Sequence, residues 1–343
     1  MIPIQNLYYL LCYAWNRLPE QHTLLATEAT AFHRPLELLA HVLATGTRRL
    51  LSQGLKNAYS ERQENVTELR GRLLLAPSVS QGLLRRGRAV CRYDELGPAT
   101  PFNSLLLGTL TQLAALRSLP APLRQELRAV RRRFPAAVAP TPLSAPALRA
   151  VRRLGSHGLE AFLLNVCELI SRSALPQAAP AGPTRFRDFR RDEQLMAQLF
   201  EAFVRNFYRH EQRHFRVLSE TITWQAAADS PTDLALLPAM ITDTTLEAPE
   251  RKIILDTKYY TAALRPRYDQ QKLISPHLYQ LYAYLQNQPT LPEQHLEGVL
   301  LYPAAAQALN LRYTLGGHPV RVVTLDLNQH WPGIAADLLA LIR

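Results

Sequence analysis

The sequence predicts an α/β fold in two domains: an N-terminal α+β domain and a C-terminal domain built on a mixed sheet. The chain has 343 residues, which suits two domains better than one. A segment at residues 176–183 is rich in proline and poor in charge, as linkers often are. Beyond it, helical and strand patterns alternate, which is typical of a sheet covered by helices. We therefore expect domains at residues 1–178 and 179–343.

The N-terminal domain is predicted to be mainly helical, with a small pair of strands. Apolar residues at helical spacing predict helices at residues 1–15, 36–55, 105–116 and 158–174. Short alternating runs with glycines between them predict strands at residues 69–75 and 89–93. Together these elements predict a small α+β domain.

The C-terminal domain is predicted to contain a helix, three strands, a second helix, two further strands and a closing helix. The first helix covers residues 193–210, where apolar side chains line one face. The predicted strands and the second helix are at residues 221–227, 239–246, 252–260, 277–286 (helix), 296–302 and 320–327. This order predicts an α/β unit with a mixed sheet.

The composition is that of a globular protein. Hydrophobic residues make up 47% and charged residues 20%, which excludes disorder along the whole chain. No stretch approaches the roughly 18 apolar residues that a membrane-spanning helix needs, and no basic leader precedes the first apolar run. Cys12, Cys91 and Cys167 are too widely spaced for a zinc finger or a disulfide framework. We expect a cytoplasmic protein with reduced thiols and no membrane partner.

The chain is strongly basic. It has 39 lysines and arginines against 28 acidic residues, a net charge of +11, which suits a polyanionic partner. Almost all the basic residues are arginines, which a GC-rich genome would also produce. Arg131, Arg132 and Arg133 stand beside several prolines, and we interpret them as a solvated helix end followed by a loop. A contact with DNA or with a protein partner is the alternative.

Three polar residues stand where the predicted sheet should be apolar. Asp256 and Lys258 are two residues apart in a predicted strand, so their side chains share a face. Asp243 precedes Asp256 by 13 residues, an interval that fits two adjacent antiparallel strands joined by a polar turn at residues 247–251. Pairing of those strands would bring the two carboxylates together, with the lysine close by.

This trio suggests a metal-dependent phosphodiesterase site. Two carboxylates and a backbone carbonyl can hold Mg²⁺ and leave positions for water and a phosphate oxygen. The metal lowers the pKa of its water, and a nearby lysine can orient that water and offset the developing negative charge. The alternative is an ion pair between Asp256 and Lys258 at a strand end, with Asp243 as a turn residue. Mn²⁺ is possible in place of Mg²⁺.

Three blocks of the sequence resemble a known family. They are IPIQNLYYLLCYAW at residues 2–15, LDTKYY at residues 255–260 and LYQLYAY at residues 278–284. In this order they resemble the McrC family, the nuclease subunits of McrBC modification-dependent restriction systems, and the resemblance covers nearly the whole chain. It implies that the C-terminal domain has the PD-(D/E)xK nuclease fold. The motif then corresponds to Asp243, Asp256 and Lys258, although Thr242 stands where the motif has proline.

The resemblance also implies helper residues. Glu201 lies in the helix before the strands, where related nucleases carry an acid that reaches the metal or its water; the alternative is an ion pair with Arg205 one turn on. Gln280 and Tyr284, four residues apart, resemble the glutamine-containing motif of RecB-like nucleases, with packing and capping as the alternative. In the expected mechanism the Thr257 carbonyl joins Asp243 and Asp256 as a metal ligand.

The resemblance implies a Mg²⁺-dependent DNA endonuclease that acts with a hexameric AAA+ GTPase resembling McrB. The N-terminal domain would dock on that ring and stimulate GTP hydrolysis. This chain has no G-x-x-x-x-G-K-[ST] motif, so we expect it to bind no nucleotide itself. Two alternatives stay open: a non-catalytic DNA-binding adaptor that activates the GTPase, and a stand-alone repair nuclease.

Three further motifs carry weaker signals. HEQRH at residues 210–214 matches a zinc-protease pattern, but basic and polar residues crowd it and no third ligand follows, so we interpret it as a solvated helix end. Asp233 follows Pro231 and Thr232 and competes for the role of first acid, but it lies 23 residues before Asp256. Basic residues after the active strand could hold the DNA backbone or line a solvated loop: Arg265, Arg267 and Lys272.

Overall fold

The computed structural model describes residues 2–16, 32–173, 188–260, 263–267, 270–289, 293–304 and 308–343. The chain forms two compact units, which differ from the predicted domains. The helical unit is Arg34–Arg187, and the sheet unit combines Met1–His33 with Asp188–Arg343. The expected boundary between residues 178 and 179 lies outside the described residues. The first helix, α1 (Ile4–Ala14), thus belongs with the C-terminal half rather than with an N-terminal domain.

The helical unit contains the predicted helices and further short ones. Its helices are α2 (Pro35–Gln53), α3 (Leu75–Ser80), α4 (Pro101–Ala115), α5 (Ala121–Arg131), α6 (Ala145–Arg153) and α7 (Gly158–Ser173). The helix α4 begins where the Thr100 side chain accepts a hydrogen bond from the Asn103 N–H at 3.1 Å, which satisfies one of the free donors of the first turn. The proline- and arginine-rich stretch after residue 120 thus forms two helices joined by a loop.

The helical unit also carries an antiparallel sheet in the order β1-β3-β2, formed by β1 (Ala58–Val66), β2 (Arg72–Leu73) and β3 (Ala89–Gly97). The predicted pairing of the second and third strands is confirmed. The first strand was not predicted because its sequence, AYSERQENV, has no apolar alternation. Cross-strand ion pairs stabilise it instead, such as the 2.9 Å contact between Arg62 Nε and Glu95 Oε2.

The sheet unit contains the predicted elements in the predicted order, with four unpredicted strands and one unpredicted short helix between them in the described part of the chain. Its strands are β4 (Arg216–Leu218), β5 (Thr221–Ile222), β6 (Met240–Ile241), β7 (Thr244–Glu247), β8 (Arg251–Thr257), β9 (Leu264–Arg267), β10 (Gln270–Leu273), β11 (His295–Pro303), β12 (Asn310–Leu315) and β13 (His318–Leu325). Its later helices are α8 (Glu193–Glu211), α9 (Pro231–Leu234), α10 (Ser275–Gln286) and α11 (Trp331–Ala340). The unpredicted elements are β4, β9, β10, β12 and α9. Within the described residues, the main sheet has the order β12-β13-β11-β8-β7-β4.

The main sheet is mixed, as predicted. The strand β8 runs antiparallel to β7 and parallel to β11, which is itself parallel to β13. The strand expected at residues 239–246 is divided into β6 and β7, and Asp243 lies in the break between them. The strand expected at residues 221–227 is shorter and ends at Ile222.

The helix α1 packs against α8 and next to α11. The Asn206 side-chain amide of α8 donates to the Tyr13 carbonyl at 2.9 Å, and the Trp331 ring stacks on Tyr9 with centroids 4.4 Å apart. The Asn6 amide donates to the Leu327 carbonyl, 321 residues away in the chain, at 2.8 Å. Aromatic packing and buried hydrogen bonds therefore tie the start of the chain to the sheet unit.

The strand β8 is the most buried strand of the main sheet. Ile253, Ile254 and Leu255 are fully buried, as expected for a strand with neighbours on both sides and helices on its faces. Asp256 continues this run and is equally buried. No helix among the described residues is long and apolar enough to span a membrane.

Candidate active site

The antiparallel pairing of β7 and β8 brings the predicted acids to one place. Thr244 pairs with Leu255, and one step further along the same register Asp243 stands opposite Asp256. Lys258 follows the end of β8, and its backbone N–H donates to the Leu301 carbonyl of β11 at 2.9 Å. The interval of 13 residues in the sequence is therefore the length of a hairpin whose ends carry the two carboxylates.

Asp243 accepts three hydrogen bonds, two from Thr257 and one from Arg205. Its Oδ2 atom accepts hydrogen bonds from the backbone N–H and the hydroxyl of Thr257, both at 2.8 Å. Its carbonyl accepts from Arg205 Nη1 at 2.8 Å. The strand break thus leaves Asp243 half-buried, and these contacts keep it beside β8. Thr257 therefore positions one acid in addition to its expected role as a carbonyl ligand.

Asp256 is a buried carboxylate with a single close partner among the described residues. Its side chain is 0% exposed; Lys258 Nζ lies 2.7 Å from Oδ2, whereas Oδ1 accepts no hydrogen bond from the described residues. Burial, and then the negative charge of Asp243, raise the pKa of Asp256 to about 7 against the opposing charge of Lys258. A divalent cation would lower this pKa by supplying further positive charge.

Lys258 remains protonated in this setting. Burial alone would lower the pKa of its ammonium group, but the charges of Asp256 and then Asp243 outweigh burial and raise that pKa. Its side chain is 14% exposed, so the lysine is mostly but not completely buried. A lysine that stays charged donates hydrogen bonds and offsets negative charge, and it does not accept a proton.

Glu201 is close to the two acids, and it also forms the ion pair with Arg205 that the sequence offered as the alternative to a role at the metal. Arg205 Nη1 donates to Glu201 Oε1 at 3.0 Å and to the Asp243 carbonyl at 2.8 Å. Burial, and then the charge of Asp243, raise the pKa of Glu201. Arg205 thus connects the helix to the strand break. The sequence marked it only as an i+4 partner of Glu201.

Gln280 contacts the site through Tyr284. Gln280 Nε2 donates to the Tyr284 hydroxyl at 2.7 Å, and that hydroxyl donates to the Ile241 carbonyl at 2.8 Å. Tyr284 is buried, and burial together with the charges of Asp256 and Asp243 raises its pKa. Tyr284 is therefore close enough to the carboxylates to feel their charge, and Gln280 orients its hydroxyl.

One residue near the site carried no sequence signal. Tyr302 of β11 is fully buried, and its hydroxyl is 2.9 Å from His277 Nδ1. Burial, and then the charge of Asp256, raise the pKa of Tyr302. An apolar strand that ends in tyrosine is common, so only the parallel pairing of β11 with β8 places this hydroxyl near Asp256.

The donor set fits Mg²⁺. Among the described residues, no three histidine, cysteine, aspartate or glutamate side chains form a metal cluster. A cation at this site would therefore depend on Asp243, Asp256, a backbone carbonyl such as that of Thr257, and water. Oxygen ligands from one or two carboxylates with several waters are what Mg²⁺ prefers, and Mn²⁺ also accepts carboxylate and water oxygens. Oδ1 of Asp256, which is buried and accepts no hydrogen bond from the described residues, supplies the observation that supports this fit.

The weaker motifs lie apart from this arrangement. The helix α8 ends at Glu211, so His214 is outside it; His210 contacts Asn16 Oδ1 at 2.5 Å, and His214 is 3.3 Å from Glu250. Asp233 is exposed on the short helix α9. Lys272 is exposed on β10, whereas the side chains of Arg265 and Arg267 lie outside the described residues.

Comparison with known proteins agrees with the blocks found in the sequence. A family model described as "McrBC 5-methylcytosine restriction system component" matches residues 4–303. A protein of Escherichia coli strain K12, "Type IV methyl-directed restriction enzyme EcoKMcrBC", is 31% identical over 343 residues, which cover 99% of this chain and 97% of that protein.

A solved structure has a similar fold. It is a half-complex from a tetradecameric assembly of Thermococcus gammatolerans McrB AAA+ hexamers with bound McrC. The match has a TM-score of 0.59 at 16% identity and covers 99% of this chain and 76% of that one. Family model, sequence identity and fold therefore agree, and the chain belongs to the McrBC 5-methylcytosine restriction system component family.

Proposed function

We propose that this chain is the Mg²⁺-dependent DNA endonuclease subunit of a GTP-driven, modification-dependent restriction complex. One observation carries the proposal: Asp243, Asp256 and a protonated Lys258 meet at the end of β8. Two carboxylates and a lysine are the groups that hydrolysis of a phosphodiester needs for metal binding, water orientation and charge stabilisation. This arrangement corresponds to the PD-(D/E)xK motif.

Asp243, Asp256 and the Thr257 carbonyl would hold the Mg²⁺ ion. When bound, the ion lowers the pKa of a coordinated water and stabilises negative charge on the phosphate. Lys258 donates a hydrogen bond to the attacking water and sets its direction for in-line attack. Because the lysine stays protonated, it also offsets the charge that develops on the phosphate oxygens.

Three residues support the catalytic groups. Arg205 keeps Asp243 in position through its carbonyl, and Glu201, held by the same arginine, is placed to bind a water of the metal. Tyr284 anchors the end of β6 through the Ile241 carbonyl, one residue before the Thr242–Asp243 segment. These contacts explain how a break between two strands can hold a carboxylate in a defined place.

The assembly is also part of the proposal. The fold is similar to that of a structure containing McrB AAA+ hexamers with bound McrC, so we propose that this chain binds an McrB-like GTPase and stimulates its hydrolysis of GTP. That partner would recognise modified DNA and bind the nucleotide. The absence of a P-loop motif in this sequence supports such a division of labour.

Cleavage of methylated plasmid by the full chain with its GTPase partner, GTP and Mg²⁺ tests the proposal. We expect Asp256→Ala to reduce cleavage by about 100-fold or more while GTP hydrolysis is still stimulated. Asp233→Ala is the matched control, because that acid is exposed on the short helix α9. If Asp256→Ala cleaves DNA as well as wild type, the chain is not the nuclease. The alternative hypothesis, a non-catalytic DNA-binding adaptor, would then be favoured.

A further inference from the structure

Positive charge is divided very unevenly between the two units. The helical unit, Arg34–Arg187, contains 23 basic and 9 acidic residues, a net charge of +14. The sheet unit contains 16 basic and 19 acidic residues, a net charge of −3. The entire basic excess of the chain is therefore outside the unit that carries the proposed active site.

The helix α5 concentrates part of this charge on one side. Leu123, Leu127 and Val130 are buried and pack the helix onto its unit. Arg128, Arg131 and Arg132 are exposed and follow one another at i, i+3 and i+4, so they are neighbours on the solvent side. We call these three residues the arginine face.

The arginine face has no acidic partner among the described residues. The one acid in the sequence of α5, Glu126, is engaged elsewhere: its Oε1 is 2.5 Å from Arg48 Nη2 and its Oε2 is 3.2 Å from His41 Nδ1. In contrast, Arg62 and Arg92 of the same unit lie beside Glu95 and Glu61 on the paired strands. The charge of the arginine face is thus free to meet an outside anion.

We propose that the arginine face binds the phosphate backbone of DNA and that the helical unit thereby holds the substrate. The inference rests on the proposed function, which makes DNA the substrate. Arginine guanidinium groups bind phosphate oxygens through two parallel hydrogen bonds. Along the helix, Arg128 and Arg132 are separated by about 6 Å, from a rise of about 1.5 Å per residue, so they can reach neighbouring phosphates.

DNA fits this surface better than a protein does. The other residues on the exposed side of α5 are small or polar, such as Gln125 and Ala129, and no aromatic side chain stands among them. A protein interface usually depends on large apolar or aromatic anchors, whereas contact with a phosphate backbone needs positive charge alone. Arginines near a helix C-terminus also interact favourably with the helix dipole and stabilise the helix. Thermal melting measures this structural role separately from DNA binding.

DNA binding by the full-length chain tests the inference. The affinity for a short unmethylated duplex would be measured in EDTA by fluorescence anisotropy at several salt concentrations. The test variant is Arg128→Gln, Arg131→Gln, Arg132→Gln, and the control is Arg62→Gln, Arg92→Gln, Arg152→Gln. The control removes the same charge from the same unit, but its three arginines already pair with acids: Glu95, Glu61 and Glu168.

We expect the test variant to bind DNA more weakly. The magnitude of its slope of log affinity against log salt should decrease by about 2 to 3, because each of three lost phosphate contacts contributes about 0.9. The control should keep most of the wild-type slope, although it loses the cross-strand ion pairs that stabilise β1 and should melt at a slightly lower temperature. The test variant should melt like wild type. An unchanged slope in the test variant, or equal losses in both variants, overturns the inference. So does loss of binding to the GTPase partner with DNA binding intact, because the surface would then contact a protein.

This outcome is separate from that of the proposed function. Cleavage by Asp256→Ala measures the active site, whereas the salt slope measures only the arginine face. If Asp256→Ala abolishes cleavage and the slope does not change in the test variant, the chain is a nuclease that holds DNA by other residues. If the slope falls and Asp256→Ala still cuts, the arginine face binds DNA and the nuclease assignment fails.

Discussion

Asp256 shows how a single residue can carry both the function of the site and a cost in stability. The strand β8 places this carboxylate at full burial, where only an ion pair with Lys258 compensates its charge. A buried charge without hydrogen bonds is unfavourable, so the folded chain binds a proton there more tightly than the unfolded chain does. Function at this position therefore opposes stability at neutral pH.

The first prediction concerns this proton. The pKa of Asp256 rises from 3.8 to about 7 on folding, so its stabilising contribution is present below about pH 4 and is lost as pH rises through about 7. In EDTA at pH 8, Asp256→Asn should melt at a higher temperature than wild type, and its free energy of unfolding should be larger by on the order of 2–4 kcal/mol. At pH 4 the two proteins should melt at about the same temperature. Thermal melting over this pH range measures the difference.

Asp233→Asn provides the control, because that carboxylate is exposed on α9. Its melting profile should follow wild type at every pH. Adding Mg²⁺ should raise the melting temperature of wild type at pH 8 and have little effect on Asp256→Asn, since the ion would offset the same buried charge. A wild-type profile in Asp256→Asn would mean that Lys258 already neutralises the acid.

At the scale of elements, the site depends on a contact between α8 and the break that separates β6 from β7. Arg205 donates from one nitrogen to both Glu201 and the Asp243 carbonyl. Without this contact, Asp243 would be held only from the other side, by Thr257. The helix therefore has a positioning role in addition to its packing role.

The second prediction follows from that contact. Arg205→Ala should reduce cleavage by about 10- to 100-fold, because a small displacement of a catalytic group has an effect of this size. DNA affinity in EDTA should not change, since Arg205 contacts the protein and is not on the arginine face. Arg209→Ala is the matched control: it lies one turn along the same helix and donates to Asn206 Oδ1 at 3.2 Å. Equal activity in the two variants would contradict a positioning role.

At the scale of the whole molecule, the sheet unit is formed by two distant parts of the chain. The helix α1 supplies apolar side chains to it, including Leu7, which is fully buried. The block IPIQNLYYLLCYAW that carries part of the family resemblance is thus, in large part, a packing element of the sheet unit.

The third prediction tests this division of the chain. Leu7→Ala should destabilise the sheet unit by about 2–5 kcal/mol, the usual range for a buried leucine. Hydrogen exchange followed by mass spectrometry should show faster exchange in α8 and unchanged exchange in α4. Leu106→Ala, which removes an equally buried leucine of α4, should give the opposite pattern. Faster exchange in α4 of Leu7→Ala would assign α1 to the helical unit.

The features that depend on neighbouring residues could be predicted from the sequence. Helical periodicity located most helices, and the spacing of Asp243, Asp256 and Lys258 predicted their meeting at the end of a hairpin. Strand β1 was not predicted because its residues are mostly polar and cross-strand ion pairs stabilise it. The division of the strand at Asp243 was also missed, since the bonds that stabilise the break come from Thr257 and from α8.

Contacts between distant surfaces could not be predicted in this way and are seen first in the folded chain. The tertiary structure assigned α1 to the sheet unit, gave Arg205 a second hydrogen-bond acceptor, and joined the hydroxyl of Tyr284 to the Ile241 carbonyl beside the strand break. The physical reason is that the apolar pattern of an amphipathic helix predicts which face is buried but does not predict which surface covers that face. The identity of the covering surface is a property of the whole chain, because any complementary apolar surface satisfies the same local pattern.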